Sequence, residues 1–460
     1  MRRMTEQEFR AYSLSGNLYK LIIHVGTPLA VFALFNTLFS ILDTMMASHL
    51  GTIDVSTVAY MNQLRMVLNA IGTGMITGSM ILINREYGAG NNEKAGILIN
   101  TLVRLILMIT AVFLIMLPFV PWLLGIISTP GEFIEEGALY FRVLMIATVI
   151  NFINLVYINV EKTRGRTSII MVLNIITMVI KLTLSALFIY VLEKGIVYIA
   201  VATLITYSLF ALYSLFHLFD KKSIFRIIPS HVFKVRKGVA KNIVDISYPV
   251  AVEDSAFSLG RVVVNSLAGG YGAEMIGALG ISNNVSGIAA NFENGFSDAS
   301  SAIVSQNYGA GKYKRAVDAY KANIVITLAA SVLALSILFL ANDFLLDIFA
   351  TSKTGYDLAF KETIRSIFIY DSIGCLGIAI NGAGMDFLLG LGRTKITLIL
   401  NFLKIFVFRI PVLFILQMFI EDGATALGIM MLISNWGICI PTTIICTFIS
   451  KRLVGKEKSR

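Results

Sequence analysis

Charge is what this sequence has least of. Only 14% of its 460 residues are Asp, Glu, Lys or Arg, against roughly 25% in a soluble globular chain. Mean hydropathy is +0.78, and the apolar residues come in runs of about 20 or more, long enough to cross a bilayer as helices. A soluble enzyme or binding module of this length is excluded; the class is a polytopic membrane protein. Cysteine is nearly absent. Cys375, Cys439 and Cys446 all lie inside apolar runs, which argues against a disulfide framework. Four scattered histidines have no ligand spacing, so no metal site is expected. There is no Walker A motif and no nucleophile constellation, which argues against ATP hydrolysis or an enzyme. No small-x-small cleavage site follows a short apolar core, so the first run reads as an uncleaved span behind the polar, basic leader Met1 to Lys20.

What the chain does have is a repeat. Tyr87-Gly88-Ala89-Gly90 returns as Tyr308-Gly309-Ala310-Gly311, 221 positions later. In that register Pro28 pairs with Pro249, Gly51 with Gly272, Asn62 with Asn283, Gly74 with Gly295, Ser79 with Ser300 and Ala95 with Ala316. Fourteen of the 68 positions from Pro28 to Ala95 match, mostly residues that mark backbone geometry and close packing. A second echo, Gly165-Arg166-Thr167 with Asn174, recurs as Gly392-Arg393-Thr394 with Asn401 at an offset of 227. The change of offset places about six extra residues around Thr351 to Tyr356. Each four-residue Gly-Ala-Gly motif is expected to turn the chain tightly, once per half, rather than to cradle a ligand.

Twelve spans are expected: 21–49, 55–83, 97–124, 138–160, 168–191, 196–219, 243–269, 276–304, 320–349, 364–389, 396–420 and 424–450. Six spans per half make the repeats parallel. The fold class is an all-α membrane protein with two pseudo-symmetric six-helix lobes: 21–219 and 242–451, a linker over 220–241, an N-terminal segment 1–20 and a tail 452–460. On the N-terminal side the loops and tails carry 27 Lys and Arg; the far side carries three. The positive-inside rule therefore puts both termini in the cytoplasm of a cell membrane. This bias accounts for the net charge of +10 without a nucleic-acid partner. The linker, with seven Lys and Arg, reads as solvated or bound to headgroups.

An ionisable residue near mid-bilayer costs a few kcal/mol and is a functional candidate by default. Asp43 in span 1 is the clearest case, because its repeat mate is Val264 and the duplication does not require an acid there. Lys181 in span 5 is a candidate partner. The second half carries Glu253 and Asp254 in span 7, Glu293 and Asp298 in span 8, and Asp371 and Asp386 in span 10. Asn284, Asn291, Asn294, Asp298, Ser301 and Ser305 fall on one face of span 8 and are expected to line a cavity. Glu293 and Asp298 rank first as cavity acids and Asp386 last. Phe257, Phe292 and Phe296 are candidates for an aromatic wall suited to organic cations.

These residues resemble the multidrug and toxic compound extrusion (MATE) family over nearly the whole chain. The resemblance rests on Asp43-Thr44-Met45-Met46 leading to Gly51, on the doubled Tyr-Gly-Ala-Gly, on Leu389-Gly390-Leu391-Gly392-Arg393-Thr394, and on Ala200-Val201-Ala202-Thr203. It implies a V-shaped twelve-helix exporter that expels organic, often cationic, compounds in exchange for protons or sodium. It also implies ion coupling at Asp43 and Thr203. Lys181 and Ser185 depart from the family's span-5 pattern, and a lysine beside Asp43 favours protons over sodium. Glu253, Asp254, Glu293, Asn291, Asn294, Asp298 and Asp371 are carried as cavity residues on their own positions, not on the family's.

The leading expectation is a proton-coupled antiporter, acting as a monomer in the bilayer on a small organic substrate, with no cofactor beyond the coupling ion. The alternative within the same superfamily is a flippase of a lipid-linked or anionic substrate, motivated by Lys181, Arg65, Arg261 and Arg409. A membrane-embedded enzyme is the remote third.

Overall fold

The protein is seen in a computed structural model that describes residues 5–48, 52–126, 129, 131–221, 223–234, 237–352, 355–356 and 358–459. Twelve helical rods occupy the twelve expected spans. In the first half these are α2 (Leu18–Ser48), α3 (Thr52–Ala89), α4 with α5 (Asn92–Met116, Val120–Ile126), α6 (Gly131–Thr163), α7 (Thr167–Ala186) and α8 (Val197–Leu218). In the second they are α10 (Lys237–Ala268), α11 (Ala273–Gly309), α12 with α13 (Tyr313–Leu340, Asn342–Ala350), α14 (Leu358–Gly390), α15 with α16 (Thr394–Phe406, Ile410–Leu416) and α17 (Gly423–Lys458). Among the described residues, ten helices are long and apolar enough to cross a membrane. The two others, α10 and α11, are long but carry the acids and amides read from the sequence. The outer faces leave residues such as Ile115, Leu212, Phe216 and Leu340 exposed, as a helix does when lipid rather than water is its solvent.

The repeat is visible in the caps. Gly90 and Gly311 have φ of 86° and 74°, in the left-handed region where a Cβ is penalised. Around Gly90 the Gly90 N–H reaches the Tyr87 carbonyl and the Asn91 N–H the Glu86 carbonyl. Gly311 and Lys312 repeat both bonds onto Tyr308 and Asn307. Gly165 and Gly392, with φ of 71° and 62°, end α6 and α14 by the same double bond. The Gly-Ala-Gly motifs are thus helix C-caps that stop the rods abruptly. The extra residues of the second half form a two-residue antiparallel ladder, Thr351–Ser352 against Gly355–Tyr356, the only strand pairing among the described residues.

Contacts divide the chain into two compact units. An N-terminal unit comprises Phe35–Ser255, and a C-terminal unit comprises Met1–Leu34 and Ala256–Arg460. The cuts fall inside α2 and α10 rather than in the linker 220–241. Close backbone approach explains where they fall. In the N-terminal unit a Cβ on Gly74 would meet Ala251 of α10 at 2.6 Å, and the Ser247 hydroxyl donates to the Met75 carbonyl at 3.2 Å. In the C-terminal unit Gly295 packs on the backbone of Ala30, and Gly26 lies against Phe296. Gly74 with Gly295 and Ala251 with Ala30 are repeat mates, so the same small-residue contact is made twice. Each unit then builds alike: α6 packs on α8 and α3, and α3 on α4; α14 packs on α17 and α11, and α11 on α12.

The linker is not simply solvated. It contains a one-turn helix, α9 (Pro229–Val232), and its backbone is held by Asn100 of α4. The Asn100 amide donates to the Arg226 carbonyl at 3.2 Å and accepts from the Ile228 N–H at 2.7 Å. Phe225, fully buried, packs 5.4 Å from the Tyr87 ring of the first cap and lies 5.3 Å beneath the Arg164 guanidinium. Its charges read as solvated, but Phe225, Ile227 and Val232 bury enough apolar surface to dock it. The second cap also holds a segment. The short helix α1 (Glu6–Ser15), started by a Thr5–Glu8 capping box, sets the Ser13 hydroxyl 2.7 Å from the Gln306 amide oxygen. There the Lys312 ammonium donates to the Leu14 carbonyl at 2.9 Å and the Arg315 guanidinium to the Gly16 carbonyl at 2.6 Å.

Candidate functional site in the C-terminal unit

The C-terminal unit has a polar core. Ser282, Ser286, Glu293, Ser297 and Ser300 follow one another on α11 at spacings of 4, 7, 4 and 3, and all are buried. On α12, Asn323, Thr327 and Ser331 are buried at spacings of four, and the Asn323 amide donates to the Ser297 hydroxyl at 3.4 Å. Asp371 of α14 and Asn435 of α17 complete the lining.

Two acids and two bases are buried in this core. Glu293 is 2% exposed, and among the described residues neither carboxylate oxygen has a hydrogen-bond partner. The Ser331 hydroxyl neighbours that carboxylate without reaching hydrogen-bond geometry. Asp371 is equally buried; one oxygen accepts from the Ser286 hydroxyl at 2.5 Å and the other is unpartnered. The bases come from the break in the eleventh rod. Pro411 has no N–H to return to the carbonyl four residues back, so α15 ends at Phe406 and α16 restarts at Ile410. Lys404 lies in the last turn of α15, where the helix dipole favours a cation. Arg409 caps α16 and is turned inward, its Nε donating to the Ser434 hydroxyl at 3.3 Å. Lys404 feels Asp371 and Glu293, and Arg409 feels Asp371. Both cations also lie over the Phe257 ring, at 5.9 and 6.0 Å from its centroid.

The residues singled out from sequence separate here. Glu293 and Asp371 come together. Asp298 and Asn294 do not join them: they lie exposed on another face of α11 with Asn291 half-buried, the face of the predicted polar stripe. Five residues along a helix is about 140° around its axis, so one helix carries the buried acid and the exposed one on separate faces. The aromatic wall also differs from expectation. Phe257 is covered by the protein's own cations, and Phe296 is buried against Gly26 with Phe292 edge-on to it at 5.6 Å. Lys404 was missed; a buried serine stripe through Glu293 was the available signal that this face of α11 needed polar partners.

In the N-terminal unit, Thr203 of α8 is buried, its hydroxyl donating to the Ile199 carbonyl at 3.0 Å. Lys181 is half-buried on α7, and one turn on, the Ser185 hydroxyl is fully buried and has no partner among the described residues. Glu253 is half-buried and Asp254 exposed on α10. Asp43 lies in α2, but its side chain is outside the described residues.

Comparison with known proteins matches this geometry to one family. A family model, MatE, fits residues 28–187 and again 249–415, once for each copy of the repeat. A probable multidrug resistance protein NorM of Thermotoga maritima is 23% identical over 416 residues, spanning 88% of this chain and 87% of its own length. The probable multidrug resistance protein YoeA of Bacillus subtilis is 22% identical over 328 residues, 70% of this chain and 71% of its own. Among solved structures, an outward-facing multidrug resistance MATE transporter of the MOP superfamily superposes with a TM-score of 0.90 at 20% identity, covering 96% of this chain and 98% of that one. A MOP superfamily transporter from Pyrococcus furiosus, described as having a binding pocket of reverse polarity, gives 0.90 at 20% identity, covering 98% and 99%. At that identity the likeness establishes the fold.

Proposed function

The chain belongs to the MatE family, whose members are transporters rather than enzymes, and from that premise we propose that it is a cation-coupled antiporter that exports organic, cationic compounds by alternating access, with protons rather than sodium as the driving ion. The observation that carries the choice of ion is the charged core of the C-terminal unit. Its two acids are already matched by two protein bases, whereas a sodium site needs carboxylates left for the metal. Asp43 is the coupling acid of this reading, with Thr203 and Lys181 beside it in the sequence-derived network. The exposed face of α11 with Asp298, Asn294 and Asn291 offers a carboxylate and amides to an organic cation; in the other unit, Glu253 and Asp254 are separate acidic candidates on α10.

The two bodies of this proposal follow the repeat copies 21–219 and 242–451, with the start of α2 carried in the C-terminal unit and the start of α10 in the N-terminal unit. Both termini are cytoplasmic, and one copy of the chain in the cell membrane suffices. A flippase of an anionic substrate would need bases open to a cavity. Of the four bases that motivate it, Arg409 is buried over the Phe257 ring, while Arg261 is exposed and Lys181 and Arg65 are half-buried, so it stands as the second reading. The test is efflux from proteoliposomes: Asp43→Asn is expected to abolish ion-driven export while the protein stays folded, and wild-type transport by that variant would overturn the reading.

A further inference from the structure

The four charges of the C-terminal core balance, yet they do not touch. Among the described residues, no nitrogen of Lys404 or Arg409 stands within 4.0 Å of a carboxylate oxygen of Glu293 or Asp371. Both Glu293 oxygens, one Asp371 oxygen and the hydroxyls of Ser282, Ser331 and Ser372 are buried and lack hydrogen-bond partners. A buried charge or polar atom left without partners is strongly disfavoured. The Glu293 carboxylate and the free Asp371 oxygen are two buried anionic acceptors acting on the same lysine, so charge has to be compensated between them. The positive charge comes from the chain itself. Lys404 ends a four-carbon tether at the last turn of α15, is 7% exposed, and interacts electrostatically with both acids.

We propose that Lys404 is a tethered counter-cation: its ammonium supplies, through ordered water, the charge that the Glu293–Asp371 pair requires, and so excludes inorganic monovalent cations from the C-terminal unit. Arg409 completes the neutralisation from the Asp371 side and is fixed by Ser434. Arg261, the nearby base on α10 that acts on Arg409, is exposed and lies outside the balance. With the ammonium removed, the oxygens that now face it form a site for sodium. The proposal concerns this one site; it supports proton coupling but stands or falls without it.

The experiment uses purified full-length protein with sodium alone as the probe, read by radiotracer sodium binding and by the unfolding midpoint in sodium against choline at fixed ionic strength. Asp43→Asn is carried as a parallel background so that sodium held at Asp43 is not counted. The wild-type C-terminal site is expected to bind no sodium, so that Glu293→Gln changes neither readout. Lys404→Met is expected to gain sodium binding by at least about tenfold and a sodium-dependent rise in midpoint, and Glu293→Gln placed on it removes both gains. Sodium binding by wild type that Glu293→Gln abolishes, or a folded Lys404→Met without a sodium response, would overturn the proposal. Should Lys404→Met fail to fold, Lys404→Met with Glu293→Gln is expected to recover folding, because the pair neutralise each other. A double variant no better than the single would overturn it equally. Transport is not measured, so a failed proton-gradient experiment and a failed tethered cation remain distinguishable.

Discussion

Where the C-terminal unit buries Glu293, the N-terminal unit has Gly72 at the 221-residue offset, and the ring of Phe152 lies against that glycine. Phe152 has Ala379 as its own mate at the 227-residue offset, so a large residue and a small one have changed places between the two copies. The other core charges are likewise replaced: Asp371 by Leu144, Lys404 by Thr177 and Arg409 by Leu182. Among the described residues, apart from the Glu161–Arg164 ion pair at the C-terminal end of α6, what remains buried in the N-terminal unit is neutral. Asn154 donates to the Tyr207 carbonyl at 3.1 Å and accepts from Ser214 at 3.1 Å, with Thr148, Thr203 and Thr206 bonded to their own helices. The same helix pairs therefore pack around apolar and hydroxyl side chains in one unit and around four charges in the other. A buried ion cluster is weak evidence for stability, since apolar residues of similar volume pack as well or better. The N-terminal unit shows that this backbone accepts that solution, so the charges of the C-terminal unit point to use rather than to packing.

The comparison can be broken at several strengths. Lys404→Met leaves two buried acids with one base and is expected to destabilise the protein by about 3–5 kcal/mol in sodium-free denaturant or thermal unfolding, whereas Thr177→Met in the N-terminal unit removes no charge and falls well below that. Gly72→Ala forces a Cβ into the Phe152 ring and is expected to cost about 1–3 kcal/mol, relieved when Phe152→Leu is added. If Gly72→Ala costs nothing, Phe152 does not fill the space that the acid takes in the other copy. Gly90→Val and Gly311→Val place a β-branched residue at positive φ and should cost about 1–2 kcal/mol each. Equal losses confirm that the two caps are one device used twice; unequal losses show that α1 and the linker brace them differently.

The smallest effect belongs to Asp422, the N-cap of α17, which accepts from the Thr425 hydroxyl and from the Thr425 and Ala424 N–H groups. Those bonds, the Thr425 hydroxyl first, hold its carboxyl below the usual range. Because the folded value is depressed, the stabilisation is present above the unfolded carboxylate value and is lost as pH falls through the folded one. Asp422→Ala is expected to cost about 1 kcal/mol and to flatten the acid limb of a stability–pH curve.

The sequence carried the architecture because duplication writes backbone geometry in glycine and proline. Gly90 with Gly311, Gly165 with Gly392 and Pro28 with Pro249 mark the two copies in the sequence, and the structure puts the four glycines in helix caps. The site was legible only in part. Glu293 and Asp371 stand out as acids in apolar runs, but Asp298 stands out equally, and residue type does not say which face of α11 turns inward. Lys404 lies about two turns inside the expected span 396–420, within the reach from which a lysine can snorkel to the surface; only the break before Pro411 turns it into the core. The docking of the linker depends on Asn100, more than 120 residues away from the carbonyl and N–H it holds, and no local pattern announces such a contact.

Proteoliposomes loaded with a fluorescent organic cation, subjected in turn to a proton gradient and to a sodium gradient of equal size, test the coupling most directly. Export driven by the proton gradient, unaffected by replacing sodium with choline and absent in Asp43→Asn, is the expected result. Export driven by the sodium gradient at equal pH on both sides would contradict it.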